Sequence, residues 1–167
     1  MSLYFEDIEP DITHELGCYT FTKASIIAFA QEFDPQLFHL SEEDGRRSIY
    51  GAMTASGWQT TSVWLRMLVD QRNREADMMR YRGERPAKYG PSPGFEKLRW
   101  LKPVFIDDTV RFTTRIIEKR DSKSRRQVGL LLFQNEGHNQ HGDLVFSLVS
   151  KMFVERRVAY EGAGGRE

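Results

Sequence analysis

The sequence predicts an α+β fold, a curved antiparallel sheet wrapped around one long central helix. Three observations predict it. The first half of the chain holds two apolar-periodic stretches at helical spacing, the second apolar on most sides and therefore expected to be buried. The second half reads as strands at Phe95 to Leu101, Thr109 to Lys119, Gln127 to Asn135 and Leu144 to Arg156, parted by Asp, Asn and Gly turn signals. Helices followed by a run of strands is the segregated order of an α+β domain.

Each element has its own warrant. Glu15 to Thr22 is rich in Tyr, Phe and Thr and reads as a strand. Thr22 then stands as an N-cap, because Lys23 to Phe33 places Ile26, Ile27, Phe29, Ala30 and Phe33 at helical spacings. Asp34-Pro35 ends that helix, since proline disfavours the α conformation in the residue before it. A loop or short helical turn follows through Ser41 to Asp44. From about Ala52 the pattern is helical again, with Met53, Trp58, Val63, Trp64, Met67 and Leu68 as a wide apolar surface. From Asp70 to Pro93 the chain turns polar and predicts a helix end followed by a long loop, a lid or a partner contact. In the strand from Thr109, apolar Val110, Phe112 and Ile116 alternate with Arg111, Thr113 and Arg115, as a half-solvated strand requires.

Composition narrows the function classes. With 167 residues the chain is long enough for one domain, expected over 1–159, with a Gly-rich tail at 160–167 expected to be disordered. Lys+Arg and Asp+Glu are 24 each, so no global basic field invites nucleic acid. No run approaches the roughly 20 apolar residues of a membrane helix, and the acidic start lacks the basic region of a secretory signal. The lone Cys18 excludes an internal disulfide and a cysteine-based metal cluster. The cytoplasm is the expected compartment. His14, His138 and His141 have no partners at ligand spacing, so no metal site is predicted.

The segment Asp34-Pro35-Gln36-Leu37-Phe38-His39 carries the chemistry. It holds a carboxylate and an imidazole five residues apart, the two side chains best suited to exchanging a proton near neutral pH. Together they could hold a water and add it to an activated double bond, or remove it. Each residue also has a plainer explanation. Asp before Pro is common turn chemistry, a lone His is more often packed than catalytic, and Gly51 could serve only a tight turn.

Three pieces of the chain, over residues 14 to 157, resemble the MaoC-like dehydratases, the hot-dog-fold family that includes the (R)-specific enoyl-CoA hydratases. Asp34 and His39 match the family's catalytic positions, with Gln36 where Asn is usual and the proline moved forward to Pro35. Ile49-Tyr50-Gly51-Ala52-Met53-Thr54-Ala55-Ser56-Gly57-Trp58 is similar to the segment leading into the central helix, with Tyr50 in place of histidine. Leu98-Arg99-Trp100-Leu101-Lys102-Pro103-Val104-Phe105-Ile106-Asp107-Asp108-Thr109 resembles the family's Lys-Pro-Val turn, with Asp107 in place of glycine.

The resemblance implies Asp34 and His39 as the acid–base pair and the Gly51 amide as holder of the thioester oxygen. Gln36, Phe38, Ser56, Gly57 and Trp58 would line the substrate. The substrate would be a 2-enoyl thioester, with coenzyme A as part of it and no further cofactor. The family's edge-to-edge pairing implies a homodimer or a dimer of dimers. A hot-dog thioesterase and a non-catalytic acyl-thioester binder are the alternatives. The thioesterase is opposed by the absence of Asp and Glu between Gly51 and Met67. The basic run Arg72, Arg74, Arg80, Arg82 and Arg85 is either a solvated face or an attractor of coenzyme A phosphates. Trp58, Trp64 and Trp100 read as core or interface packing.

Overall fold

The computed structural model describes residues 3–161. The expected tail therefore lies outside the described residues from 162 onward. Its first residue is tied down, since the Tyr160 amide donates to the Arg126 carbonyl at 2.8 Å.

After a 3-10 turn at Phe5–Asp7 come β1 (Thr13–Thr20), α1 (Lys23–Phe33), α2 (Leu37–Leu40), α3 (Glu42–Arg47) and α4 (Gly57–Tyr81). The strands β2 (Phe95–Trp100), β3 (Thr109–Asp121), β4 (Val128–His138) and β5 (Leu144–Glu155) complete the chain. They form one five-stranded sheet in the order β1-β3-β4-β5-β2, every pair antiparallel. With α4 against one face, this is the hot-dog fold.

Local chemistry explains the boundaries. Thr22 caps α1, its Oγ1 accepting from the Ser25 amide at 3.2 Å. Ser41 caps α3 through the Asp44 amide, and Ser56 caps α4 through the Trp58 amide, both at 3.2 Å. Asp107, at the position the family fills with glycine, has φ +65°. Its short polar side chain lets it occupy the left-handed region that bulkier residues avoid.

Two sequence expectations need correction. The helix expected from about Ala52 begins at Gly57 and runs to Tyr81, well past Asp70. Residues before Gly57 are pulled into sheet-like pairing instead: Thr54 bridges Phe105, and the Ala55 amide donates to the Val104 carbonyl at 2.8 Å. Nor is α4 buried on most sides. Thr60, Trp64 and Leu68 face the sheet, whereas Trp58, Leu65 and Val69, roughly 100° or more around the helix, are 50%, 49% and 40% exposed.

The interior has two apolar clusters. Under the first part of α4, Trp64 and Leu68 pack on Leu16, Val110, Phe112, Phe146 and Leu148. Beyond them, Phe5 and Ile8 from the N-terminal segment cover Ile116, Leu131, Phe133, Met152 and Val154. Between the two lies a row of polar groups. Thr114 Oγ1 donates to Asn135 Oδ1 at 2.8 Å, and Asn135 Nδ2 donates to Phe133 O, Leu148 O and Ser150 Oγ at 3.0–3.2 Å. Satisfied in this way, buried polar groups carry little desolvation cost. Among the described residues no helix is long and apolar enough to cross a membrane.

Candidate active site

The proline that ends α1 sets the site's geometry. Asp34 is the α1 C-cap, its amide bonded to Ala30 O, and α2 restarts the helical path after Gln36. One turn of helix then swings His39 back toward Asp34. His39 Nε2 lies 3.4 Å from Asp34 Oδ2, with the two side chains only 6% and 18% exposed.

Both groups are held from behind. His39 Nδ1 sits 2.7 Å from the Thr54 carbonyl oxygen. A carbonyl can only accept, so Nδ1 carries a proton and Nε2 is the nitrogen left to exchange one with Asp34. Asp34 Oδ2 accepts from Ser56 Oγ at 2.7 Å, and Oδ1 accepts from Gln36 Nε2 at 2.8 Å. Burial pushes the Asp34 carboxyl up, but the Ser56 and Gln36 hydrogen bonds and the neighbouring His39 pull it down and prevail. Its pKa lies below the ordinary carboxylate value.

These groups open on a cavity of about 410 Å³. Its lining includes Asp34, Gln36, Phe38, His39, Ser56, Gly57 and Trp58, seven of the eight residues assigned from sequence. The eighth, Gly51, does not reach it. Gly51 sits in an exposed turn at φ +69°, and its N–H is already donated to Ser48 O at 3.1 Å. Because the extended residues 52–56 intervene before α4, the glycine at the helix start is Gly57. The Ser56 hydroxyl takes the Trp58 amide, leaving the Gly57 N–H as one of the donors a helix start lacks partners for. A side chain at Gly57 would run into the Trp100 indole.

Sequence reasoning missed other parts of the lining. Trp100 packs edge-on against Trp58, ring centres 5.1 Å apart, and its Nε1 donates to Thr61 Oγ1 at 3.1 Å. Leu101, Lys102 and Pro103 continue that wall. All four lie in the Lys-Pro-Val segment, so the motif was visible although its place at the cavity was not. Tyr50 stands at the mouth, its ring 5.5 Å from that of Phe38. Thr60, Val104 and Val145 complete the lining and are buried. Thr54 acts through its backbone carbonyl, which any residue supplies, so no side-chain signal could have pointed to it.

Sheet order, central helix and site position define a hot-dog protein of the dehydratase kind. The chain belongs to the MaoC-like dehydratase family, residues 9–132 matching the MaoC like domain. It is similar to the MaoC-like dehydratase from Rhodospirillum rubrum, with 31% identity, TM-score 0.76, and 93% of this chain and 98% of that one covered. The (R)-hydratase from A. caviae involved in PHA biosynthesis shares the fold, with TM-score 0.60, 17% identity and 88% and 97% of the two chains covered. A shorter stretch of 64 residues is 36% identical to the mesaconyl-CoA hydratase of Cereibacter sphaeroides, covering 38% of this chain and 18% of that protein.

Proposed function

We propose that the protein hydrates a 2-enoyl thioester, and dehydrates the corresponding 3-hydroxyacyl thioester, with Asp34 and His39 as the acid–base pair. The observation that carries this reading is the 3.4 Å approach of His39 Nε2 to Asp34 Oδ2 on the wall of a cavity that Gly57, the first residue of α4, also lines. The thioester oxygen takes the Gly57 N–H, aided by the partial positive charge at the start of α4. That draws electrons from the conjugated double bond and makes C3 electrophilic. A water held between the pair gives one proton to Asp34 as its oxygen bonds to C3. His39 Nε2 gives a proton to C2, and the proton on Asp34 crosses to His39 to restore the pair. Both groups act from one face, so addition is syn. The family resemblance supports the (R)-3-hydroxyacyl product.

Ser56 is a positioning residue here, since it joins the helix cap to the catalytic carboxylate. Gln36, Phe38 and Trp58 line the substrate. Asp34 is the sole carboxylate lining the cavity among the described residues, and it is bound to Ser56 and Gln36. No Asp or Glu stands on α4 before Asp70, which favours the hydratase over a thioesterase with its carboxylate on that helix. Coenzyme A enters as part of the substrate and no other cofactor is assigned. The similarity to a mesaconyl-CoA hydratase supports a coenzyme A thioester. We keep the cytoplasm as the compartment and a homodimer, or a dimer of dimers, as the assembly.

The test is crotonyl-CoA, followed by the ultraviolet absorbance of the conjugated enoyl group and by free thiol. Loss of absorbance without thiol is expected. Asp34→Asn and His39→Ala should each lower kcat/KM by about 10²–10⁴-fold, the usual worth of a general acid–base group. Thiol release, or full activity in either variant, overturns the assignment.

A further inference from the structure

A second cavity, of about 640 Å³, is larger than the catalytic one and lies toward the far end of α4. One wall is the helix face bearing Arg72, Asn73 and Arg80. The other is the strap that follows the helix, with Arg85, Lys88 and Tyr89. Among the described residues, no Asp or Glu lines it.

The strap is built in place rather than draped. The Glu155 amide donates to Lys88 O at 2.9 Å, the Gly90 amide to Phe153 O at 2.8 Å, and Tyr89 bridges Val154. Arg72 lies between two rings, its guanidinium carbon 5.2 Å from the centre of Tyr89 and 5.4 Å from that of Phe133. Burial pushes Arg72 down to about 10 and the Tyr89 phenol up to about 12, so the two are cation and neutral phenol at pH 7. Arg85 is paired with Glu155 at 2.6 Å and Arg80 with Asp77 at 2.7 Å. Each such pair leaves guanidinium donors unused, because arginine has five.

We propose that this groove between α4 and the strap binds a phosphate-bearing anion. Clustered arginines on a pinned, concave wall are the chemistry that recognises phosphate, through forked hydrogen bonds from the donors that the Glu155 and Asp77 pairs leave over. The apolar Val69, Ala76 and Pro86 make it a pocket rather than a charged surface. Two sources offer the same group. One is the nucleotide phosphates of coenzyme A, reached along the exposed Trp58, Leu65 and Val69 stripe or from a second copy of the chain. The other is a free phosphorylated ligand. Only the first source rests on the hydratase reading.

The experiment compares wild type with the double variant Arg80→Ala/Lys88→Ala, whose residues are exposed and outside the catalytic cavity. Calorimetric titration with inorganic pyrophosphate should show binding to wild type that weakens at least tenfold in the variant. Kinetics with crotonyl-CoA and with the phosphate-free crotonyl-N-acetylcysteamine identify the source. A KM raised at least fivefold for the coenzyme A ester alone assigns the groove to the carrier, and unchanged KM for both assigns it to a free ligand. Wild type that does not bind pyrophosphate, or a variant that binds it equally well, overturns the site. Absence of any hydration would overturn the proposed reaction instead, and the titration would still decide the groove.

Discussion

At the residue scale, Ser56 joins two tasks in one hydroxyl. It accepts from the Trp58 amide to start α4 and donates to Asp34 Oδ2 to steady the carboxylate. The donated bond is one of the interactions holding Asp34 below the ordinary carboxylate pKa. Removing it in Ser56→Ala should raise that pKa, so protonation begins at a higher pH on the acid side. The acid limb of kcat/KM for hydration should then move upward in pH, which a pH–rate profile reads directly. A profile that falls in height without moving would mean that Ser56 acts only through the helix cap. The pair itself was legible in the sequence because proline punctuation and Asp-to-His spacing are local. Gly51 and Gly57 could not be told apart in that way. Which glycine begins the helix depends on Thr54 and Ala55 pairing with Phe105 and Val104, some fifty residues away in the chain.

At the scale of elements, α1 was legible to the residue, since a threonine cap and an Asp-Pro stop bracket it. The strands were legible to within a few residues from their alternation and turns. The width of α4's apolar surface misled at Trp58, which is half exposed, whereas Trp64 and Leu68 are buried and Val63 and Met67 pack against the core. Its length misled because a polar surface from Asp70 onward marks exposure, not an end. The cavity against α4 makes a specificity prediction. Thr60, Val104 and Val145 are buried parts of its lining, and Val104 and Val145 share one core cluster with Trp64 and Phe146, whose rings stand 5.8 Å apart. Short acyl chains should therefore be preferred, crotonyl-CoA over 2-octenoyl-CoA. A methylene in a fitted pocket is worth about 1–3 kcal/mol, so Val145→Ala should narrow that preference by about tenfold. Comparison of kcat/KM for the two substrates checks it.

At the scale of the whole molecule, β2 is an edge strand that pairs only with β5 and leaves Phe95 and Trp100 half exposed. Unpaired edges invite pairing with another chain. With the family resemblance, this predicts a homodimer joined at β2, with Trp100 brought near the seam. Light scattering should give twice the chain mass, or four times it for a dimer of dimers. A proline at Lys97, already at φ +55° beside the β2 irregularity, would misfit the strand and is too disruptive a probe. Glu96→Lys is milder and should weaken the dimer without unfolding the protein. A monomeric wild type would refute the assembly.

The Thr114, Asn135 and Ser150 seam gives the interior two chambers with separate covers. Phe5 and Ile8 roof one of them, while the dyad and the start of α4 belong to the other. Loosening one roof therefore leaves the chamber of Asp34 and His39 shut, because cooperative opening follows contiguous packing. Deuterium uptake in Phe5→Ala should accelerate at Leu131 and Val154 while Phe112 and Leu148 exchange as slowly as before. Breathing at the far end would then be a freedom of this architecture that leaves the Asp34–His39 pair undisturbed.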